Sequence, residues 1–256
     1  MVGMNHQLEQ FSGSNSPDIT RKRRLIRRAT GMAATGVLLF WACSVALVFF
    51  LRFVPPATSA FMLARVLRGK ISGEKEARIA YQWGNLEQIA PEMALAVIAA
   101  EDQTFPEHRG FDFNSIKNAL HDRETGGRLR GASTISQQVA KNLFLWQGKS
   151  YLRKGLEAYF TVLIELLWPK RRIVEVYLNI AEFGDRVYGV TAAAQVFWGK
   201  SADRLTKREC ALLAAVLPNP KLRRAQAPSA FVARRAKKIE TQMANLGGVR
   251  FLKRIQ

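Results

Sequence analysis

The chain has 256 residues, of which 48% are hydrophobic, and this composition excludes an intrinsically disordered protein. Its 39 lysines and arginines outnumber the 20 acidic residues, and the formal net charge is +19. This charge indicates an anionic partner, which is nucleic acid, anionic lipid or a phosphorylated substrate.

The first predicted element is a membrane-spanning helix. No charged residue occurs from Ala29 to Leu51, and as a helix this run would be roughly 35 Å long, enough to cross a bilayer core of about 30 Å. The alternative is a cleaved signal peptide. The run is longer than the apolar region of a usual signal peptide, and this length favours an uncleaved anchor. Basic residues precede it and predict a cytoplasmic N-terminus; they are Arg21, Lys22, Arg23, Arg24, Arg27 and Arg28. Cys43 lies in this run, far from Cys210, so a disulfide framework is excluded.

The residues after the span predict a connector and then an all-α globular domain. The connector begins with a Pro-Pro break and a short basic amphipathic stretch, which lies at the membrane surface or forms a plain connecting helix. Beyond it, strand-like alternation is scarce. Helical segments rich in alanine and leucine include "PEMALAVIAAED", "YFTVLIELLW", "RIVEVYLNIAEF", "VTAAAQVFW" and "ECALLAAVL". The predicted organisation is a basic tail over 1–28, a transmembrane helix over 29–53, a juxtamembrane connector over 54–85 and a globular domain over 86–256.

Glu101 and Asp102 end a predicted helix that is otherwise wholly apolar. A carboxylate at this end faces the negative end of the helix dipole in a dry neighbourhood. Both effects should raise its pKa and make it a stronger base at neutral pH. The alternative is that these acids mark where the helix meets water. Phe105 and His108 follow within the polar run "EDQTFPEHRGFD".

A second polar run, "GASTISQQVAKN", covers residues 131–142. Thr134 lies three residues before Gln137, the spacing of a capping box, so a helix should begin here. The free N–H groups at its start would suit a phosphate, and Lys141, one turn after Gln137, would add charge to the same anion. The alternative is an ordinary, well-capped surface helix.

A third acid, Glu157, follows Arg153 and Lys154 at the start of another predicted helix. An acid beside two cations is either a structural ion pair or a second catalytic carboxylate. Spacing alone leaves both readings open.

Together, these residues resemble the peptidoglycan glycosyltransferase family, found in class A penicillin-binding proteins and as monofunctional biosynthetic transglycosylases. The motif E-D-x-x-F-x-x-H-x-G-x-D is complete over 101–112, and G-x-S-T-I-x-Q-Q-x-x-K-N is complete over 131–142. A third motif starts at Arg153, with Thr161 where alanine is usual and Ile164 for leucine. The fourth reads "IVEVYLN", with Val174 for leucine. The chain ends too soon for a transpeptidase domain, so it resembles the monofunctional enzymes.

The resemblance implies a lysozyme-like, all-α glycosyltransferase domain over 86–256, with a small membrane-associated jaw subdomain near 112–150. "LFLWQGKSYL" in this jaw suits a membrane interface, and a buried hairpin tip is the alternative. The implied reaction polymerises lipid II into β-1,4-linked glycan strands and releases undecaprenyl diphosphate. The implied location is the bacterial inner membrane, with a cytoplasmic N-terminus and a periplasmic catalytic domain. The implied partners are lipid II, the growing glycan strand, anionic membrane lipid and cell-wall synthesis or division proteins, with no nucleic acid.

The resemblance also assigns roles to single residues. Glu101 is expected to be the general base, and Glu157 the second essential acid, which assists departure of the diphosphate directly or through a divalent cation, Mg²⁺ or Mn²⁺. Lys141 and Arg153 are expected to bind the diphosphate. The implied substrate-binding residues are Asp102, Phe105, His108, Ser133, Thr134, Gln137, Gln138, Lys141, Asn142 and Arg153.

Two other functions remain open at this point. A lytic transglycosylase or muramidase shares a lysozyme-like fold and one essential glutamate, but cleaves glycan and needs no diphosphate site. A non-enzymatic, membrane-anchored basic module would bind its anionic partner without Glu101, and its affinity would fall steeply with salt.

Overall fold

The computed structural model describes residues 17–73, 78–124, 133–148 and 150–255, and within these ranges the chain is mostly helical. The α-helices are α1 (Pro17–Leu51), α2 (Ala60–Ile71), α3 (Pro91–Glu101), α4 (Phe113–Glu124), α5 (Ile135–Phe144), α6 (Tyr151–Leu167), α7 (Lys170–Ile180), α8 (Val190–Trp198), α9 (Lys207–Val216) and α10 (Ala230–Asn245). Short 3-10 helices cover Leu86–Gln88, Ala202–Arg204 and Gly248–Ile255. The predicted all-α class is confirmed.

A small sheet was not predicted. Its strands are β1 (Ala80–Tyr81), β2 (Glu182–Gly184) and β3 (Val187–Tyr188), in the order β1-β3-β2. β1 pairs with β3 in parallel, and β2 pairs with β3 antiparallel. Strands of two or three residues are too short to show an alternating hydrophobic pattern, so the sequence carries little signal for them.

The chain divides into two compact units, Met1–Leu47 and Val48–Gln256. The first unit contains most of α1. Arg21–Leu51 of this helix is, among the described residues, the one stretch that is long and apolar enough to cross a membrane, with a mean hydropathy of 2.3. This property rests on length and composition alone. The helix begins at Pro17, earlier than the predicted span, because the basic residues before Ala29 continue it.

α3 lies at the centre of the second unit. Pro91 occupies its first turn, where the missing N–H costs nothing, and every residue from Met93 to Ala99 is buried. The helix packs against α7, α9, α10 and the last 3-10 helix. Three of these residues are alanines, whose small side chains allow close approach of the neighbouring helices. The core therefore surrounds α3 and fixes the position of its last residue, Glu101.

A second helical layer consists of α5 packed against α6 and α7. Asn179, near the end of α7, is fully buried and joins this layer to the segment that follows β1. Its Oδ1 atom accepts a hydrogen bond from Gly84 N at 2.8 Å, and its Nδ2 atom donates to Gly84 O at 2.9 Å. The asparagine of the fourth motif is therefore structural.

We expect Asn179→Ala to lower the free energy of unfolding by about 2 to 4 kcal/mol, because both backbone groups of Gly84 would be left buried without a partner. Chemical denaturation of the detergent-solubilised chain measures this loss. Asn245→Ala, at the exposed end of α10, is the control and should change the value by less than about 0.5 kcal/mol. Equal denaturation midpoints for the two variants would contradict this role of Asn179.

Candidate active site

Glu101, the last residue of α3, has a side chain that is only 16% exposed. Its Oε2 atom accepts a hydrogen bond from Gln138 Nε2 at 3.0 Å, and its Oε1 atom lies 3.7 Å from a terminal nitrogen of Arg235. Burial raises the pKa of Glu101 above its usual value, while Gln138, Arg235 and Lys141 act in the opposite direction. The predicted direction of this shift is confirmed, and its largest cause is burial.

Tyr177 on α7 determines the orientation of Gln138. Its hydroxyl lies 3.1 Å from Gln138 Oε1, and burial raises the pKa of Tyr177 well above its usual value, so the hydroxyl stays protonated. A carboxylate can only accept a hydrogen bond. Gln138 must therefore turn its amide nitrogen toward Glu101 and its oxygen toward the Tyr177 hydroxyl. Sequence reasoning missed Tyr177, although the fourth motif contains it.

Asp102, the neighbour of Glu101, is buried, and both of its carboxylate oxygens have partners within the protein. Its Oδ2 atom accepts from Ile135 N at 2.9 Å, and its Oδ1 atom lies 2.9 Å from His108 Nε2. Because His108 Nδ1 accepts a hydrogen bond from Gly110 N at 3.1 Å, the ring proton is on Nε2 and is donated to Asp102. Asp102 and His108 thus connect the end of α3 to the start of α5.

The capping box predicted at the start of α5 is confirmed. Thr134 Oγ1 accepts from Gln137 N at 3.2 Å, and Gln137 Oε1 accepts from Thr134 N at 3.0 Å. The Thr134 hydroxyl also donates to Gly110 O at 2.7 Å. Asp102 and Thr134 therefore occupy the N–H groups of Ile135 and Gln137. The prediction of free N–H groups for phosphate is wrong at these two positions.

Phe105 is fully buried, and its ring packs edge-on against His108 at a centroid distance of 6.1 Å. On α7, the ammonium of Lys170 lies 4.4 Å from the centre of the Phe105 ring and donates to His108 O at 2.6 Å. It also pairs with Glu165 of α6 at 2.8 Å. Phe105 and His108 therefore shape the loop after α3, and Lys170 and Glu165 are supporting residues that sequence reasoning missed.

Glu157 lies on α6 with 3% of its surface exposed. Its Oε2 atom accepts from Arg153 at 2.9 Å, and its Oε1 atom accepts from Lys154 at 2.5 Å. The Nε atom of Arg153 is buried and has no hydrogen-bond partner in the described part of the chain. Both carboxylate oxygens of Glu157 are thus paired with cations. This arrangement matches the structural ion pair, one of the two alternatives that the sequence left open for this residue.

The described residues around Glu101 and Glu157 do not form a ligand set for the predicted divalent cation. The described ranges contain no group of three His, Cys, Asp or Glu residues that could hold a metal ion. Glu157, the acid expected to act with the cation, already binds Arg153 and Lys154 through its two oxygens. The divalent cation stays a prediction.

Lys141 links the two acids electrostatically. It is partly buried on α5, and this burial lowers the pKa of Lys141, whereas the charges of Glu157 and Glu101 raise it. Arg153 and Lys154 add positive charge to the same region and lower this pKa further. The charges of Glu101 and Glu157 therefore both act on the Lys141 ammonium.

A cleft of about 320 Å³ opens beside Glu101. Its polar lining residues include Glu101, Asp102, Gln103, Thr104, Asp112, Ser115, Ser133 and Thr134. Asp112 accepts hydrogen bonds from Thr104 at 2.7 Å and from Ser115 at 2.6 Å, and those from Ser115 lower the pKa of Asp112 to about 2. Asp112 is therefore a fixed anion, and Glu101 is the carboxylate better suited to accept a proton in this cleft.

The remaining predicted residues lie at the edges of the site. Ser133 is exposed and lines the cleft, and Asn142 is half-buried on α5. Gly131 and Ala132 of the second motif and Lys149 of the predicted jaw lie outside the described residues. Arg235, on α10, contacts Glu101 but belongs to none of the four motifs, so one sequence offered no signal for it.

We expect Glu101→Gln to stabilise the folded chain above neutral pH. The pKa of Glu101 is higher in the folded than in the unfolded chain. Ionisation of Glu101 therefore lowers the stability of the folded chain when the pH exceeds the folded-state pKa. This loss of stability disappears below the ordinary pKa of 4.5, where the carboxyl group is protonated in both states. Thermal unfolding in detergent should therefore show a higher midpoint for the variant at about pH 8 and converging midpoints near about pH 4. Glu92→Gln, in the first turn of α3, is the control. A difference in unfolding midpoint between Glu101→Gln and the wild type that stays the same at every pH would contradict a raised pKa of Glu101.

The chain is similar to known proteins over most of its length. The family model described as Transglycosylase matches residues 68–244, more than half of the chain. A protein of Xanthomonas campestris pv. campestris (strain B100) is 52% identical over 232 residues, covering 91% of this chain and 94% of the relative. One of Xylella fastidiosa (strain M12) is 53% identical over 82% of this chain and 86% of the relative. One of Pseudomonas fluorescens (strain Pf0-1) is 50% identical over 90% and 94%, respectively.

All three relatives are named biosynthetic peptidoglycan transglycosylase. The similarity covers the helices that carry Glu101, Lys141 and Glu157, and it extends through the part of α10 that contains Arg235. The chain therefore belongs to the biosynthetic peptidoglycan transglycosylase family, which its sequence motifs resemble.

Proposed function

We propose that this glycosyltransferase polymerises lipid II into β-1,4-linked glycan strands, with Glu101 as the general base. Membership of the family supports the reaction class. The observation that carries the residue assignment is the contrast between two acids whose charges both act on Lys141. Glu101 is buried with a raised pKa and one distant cation at 3.7 Å, whereas Glu157 is paired with cations at 2.9 and 2.5 Å.

The environment of Glu101 suits proton abstraction from an acceptor hydroxyl. The base takes the proton of the 4-hydroxyl of the acceptor sugar while that oxygen attacks the anomeric carbon of the donor. A new C–O bond forms on one face as the bond to the diphosphate breaks on the other, and the diphosphate leaves with the electron pair. The donor carbon is inverted. Gln138, oriented by Tyr177, keeps one carboxylate oxygen in place during this step.

The cationic side of the site suits the departing diphosphate. Lys141, Arg153 and Lys154 carry positive charge around Glu157, and preorganised cations stabilise negative charge that develops in the transition state. Glu157 then acts by positioning Arg153 and Lys154, and Ser133 and Asn142 complete the binding surface at its edges.

We also propose that α1 anchors the enzyme in the bacterial inner membrane, with the N-terminus cytoplasmic and the catalytic domain periplasmic. The length and apolar composition of Arg21–Leu51 and the basic residues that begin this stretch support this topology. Large apolar side chains near the predicted jaw, Phe113, Trp146, Tyr151 and Leu152, are exposed and suit a lipid surface. The net charge of +19 also favours attraction of the chain to anionic membrane lipid. Cell-wall synthesis and division proteins stay predicted partners.

We expect Glu101→Gln to abolish polymerisation, because an amide cannot accept the hydroxyl proton, while the protein stays folded and still binds lipid II. Incubation of the detergent-solubilised enzyme with labelled lipid II, followed by separation of products by size, measures this. Glu92→Gln is the control and should yield the wild-type ladder of glycan strands. Polymer from Glu101→Gln at a near wild-type rate would remove Glu101 from the base role. Cleavage of preformed glycan strands without polymer formation would instead indicate a lytic enzyme.

We expect Lys141→Ala to raise the apparent KM for lipid II at least about tenfold, because it removes a charge-assisted contact to the diphosphate. Initial rates at several lipid II concentrations measure the effect. Lys238→Ala, which removes an exposed cation from α10, is the control for the loss of one positive charge. An unchanged KM for Lys141→Ala would contradict a diphosphate contact at this position.

A further inference from the structure

Arg235 approaches Glu101 from α10, far along the chain from the four motifs. One terminal nitrogen lies 3.7 Å from Glu101 Oε1, and the side chain is 32% exposed. Its Nε atom is buried and makes no hydrogen bond within the described ranges. The guanidinium is therefore held near the carboxylate without forming the close two-point contact that arginine makes in a tight ion pair.

α10 is firmly placed on the core beneath the site. It packs against α9 and α3, and its Val232, Ala236, Ile239 and Met243 are buried. Ser229 caps its first turn by accepting a hydrogen bond from Val232 N. Because α10 and α3 pack together, the position of Arg235 relative to Glu101 is determined by helix packing.

Charged and titratable groups reach Glu101 from each helix that packs around it. Asp102 follows it in sequence, Lys141 comes from α5, Tyr177 from α7 and Arg235 from α10. Lys141 also interacts with Glu157 and so belongs partly to the diphosphate side. Gln138 occupies the Oε2 atom. In the described part of the chain, Arg235 supplies the cation that lies within 4 Å of this carboxylate, at Oε1.

We propose that Arg235 is a positioning residue, which orients the Oε1 atom of Glu101 and keeps its carboxylate ionised for proton abstraction. This inference rests on the proposed role of Glu101 as the general base. Burial alone favours the uncharged carboxyl group, which cannot accept the proton of a hydroxyl. A cation at 3.7 Å offsets part of that burial cost. Two cations at hydrogen-bond distance, as at Glu157, would make the carboxylate a poor base.

The test measures kcat/KM for lipid II polymerisation against pH. Arg235→Gln and Arg235→Met remove the charge, Arg235→Lys keeps it, and Arg234→Gln removes the exposed neighbouring charge on the same helix. We expect the midpoint of the acidic limb to move up by about one pH unit in the two neutral variants, with activity recovering at alkaline pH. Arg235→Lys and Arg234→Gln should stay near the wild-type midpoint.

Each other outcome overturns the inference. A loss of activity at every pH with an unmoved midpoint would make Arg235 a substrate-binding or structural residue, and a rise in KM alone would make it a substrate contact. Failure of both neutral variants to fold in a thermal unfolding assay would assign Arg235 to stability. Polymerisation by Glu101→Gln is a separate result, which would defeat the proposed base itself whatever Arg235 does.

Discussion

The buried carboxylate of Asp102 holds together the segments from which the site is built. Asp102 directly follows α3, and its carboxylate accepts hydrogen bonds from the first N–H group of α5 and from the ring of His108 in the loop after α3. At Asp102 the backbone leaves the helix, with φ −161° and ψ 75°, so Glu101 and Asp102 have different surroundings although they are adjacent. Asp102 is satisfied inside the protein, and Glu101 is left facing the cleft. This connection, together with the packing of α5 on α6 and α7, holds Gln138 beside Glu101.

Glu101 and Glu157 differ in how completely nearby cations compensate their negative charge. A carboxylate is a useful base when it is desolvated and partly compensated, and an ion-pair anchor when it is fully compensated. Glu157 meets the second condition, because Arg153 and Lys154 each contact one of its oxygens. Glu101 meets the first, because an amide contacts one oxygen and a guanidinium lies farther from the other. The neighbouring helices thus place the same residue type in two different electrostatic environments.

The local features of the site were predictable from sequence, and the long-range ones were not. The capping box of Thr134 and Gln137 depends on residues three positions apart, and the raised pKa of Glu101 follows from the apolar helix before it. The occupied N–H group of Ile135 depends on Asp102, 33 positions earlier. Arg235 reaches Glu101 only through the packing of α10 on α3, which no spacing in one sequence reveals. The short strands were missed because they are defined by hydrogen bonds to one another. A segment of two or three residues is too short to show the alternating hydrophobic pattern of a strand.

The alanines of α3 have a consequence for the position of Glu101 that their chemistry alone would not suggest. Ala96 and Ala99 have 0% and 1% of their surface exposed, and they lie five and two residues before Glu101. A methyl group at these positions sets how closely the neighbouring helices approach, and so acts as a spacer for the whole end of the helix. Displacement of a reacting group by about 1 Å is enough to slow an enzyme about a hundredfold. The position of the Glu101 carboxylate is therefore set within the protein, by two small side chains of the helix that carries it.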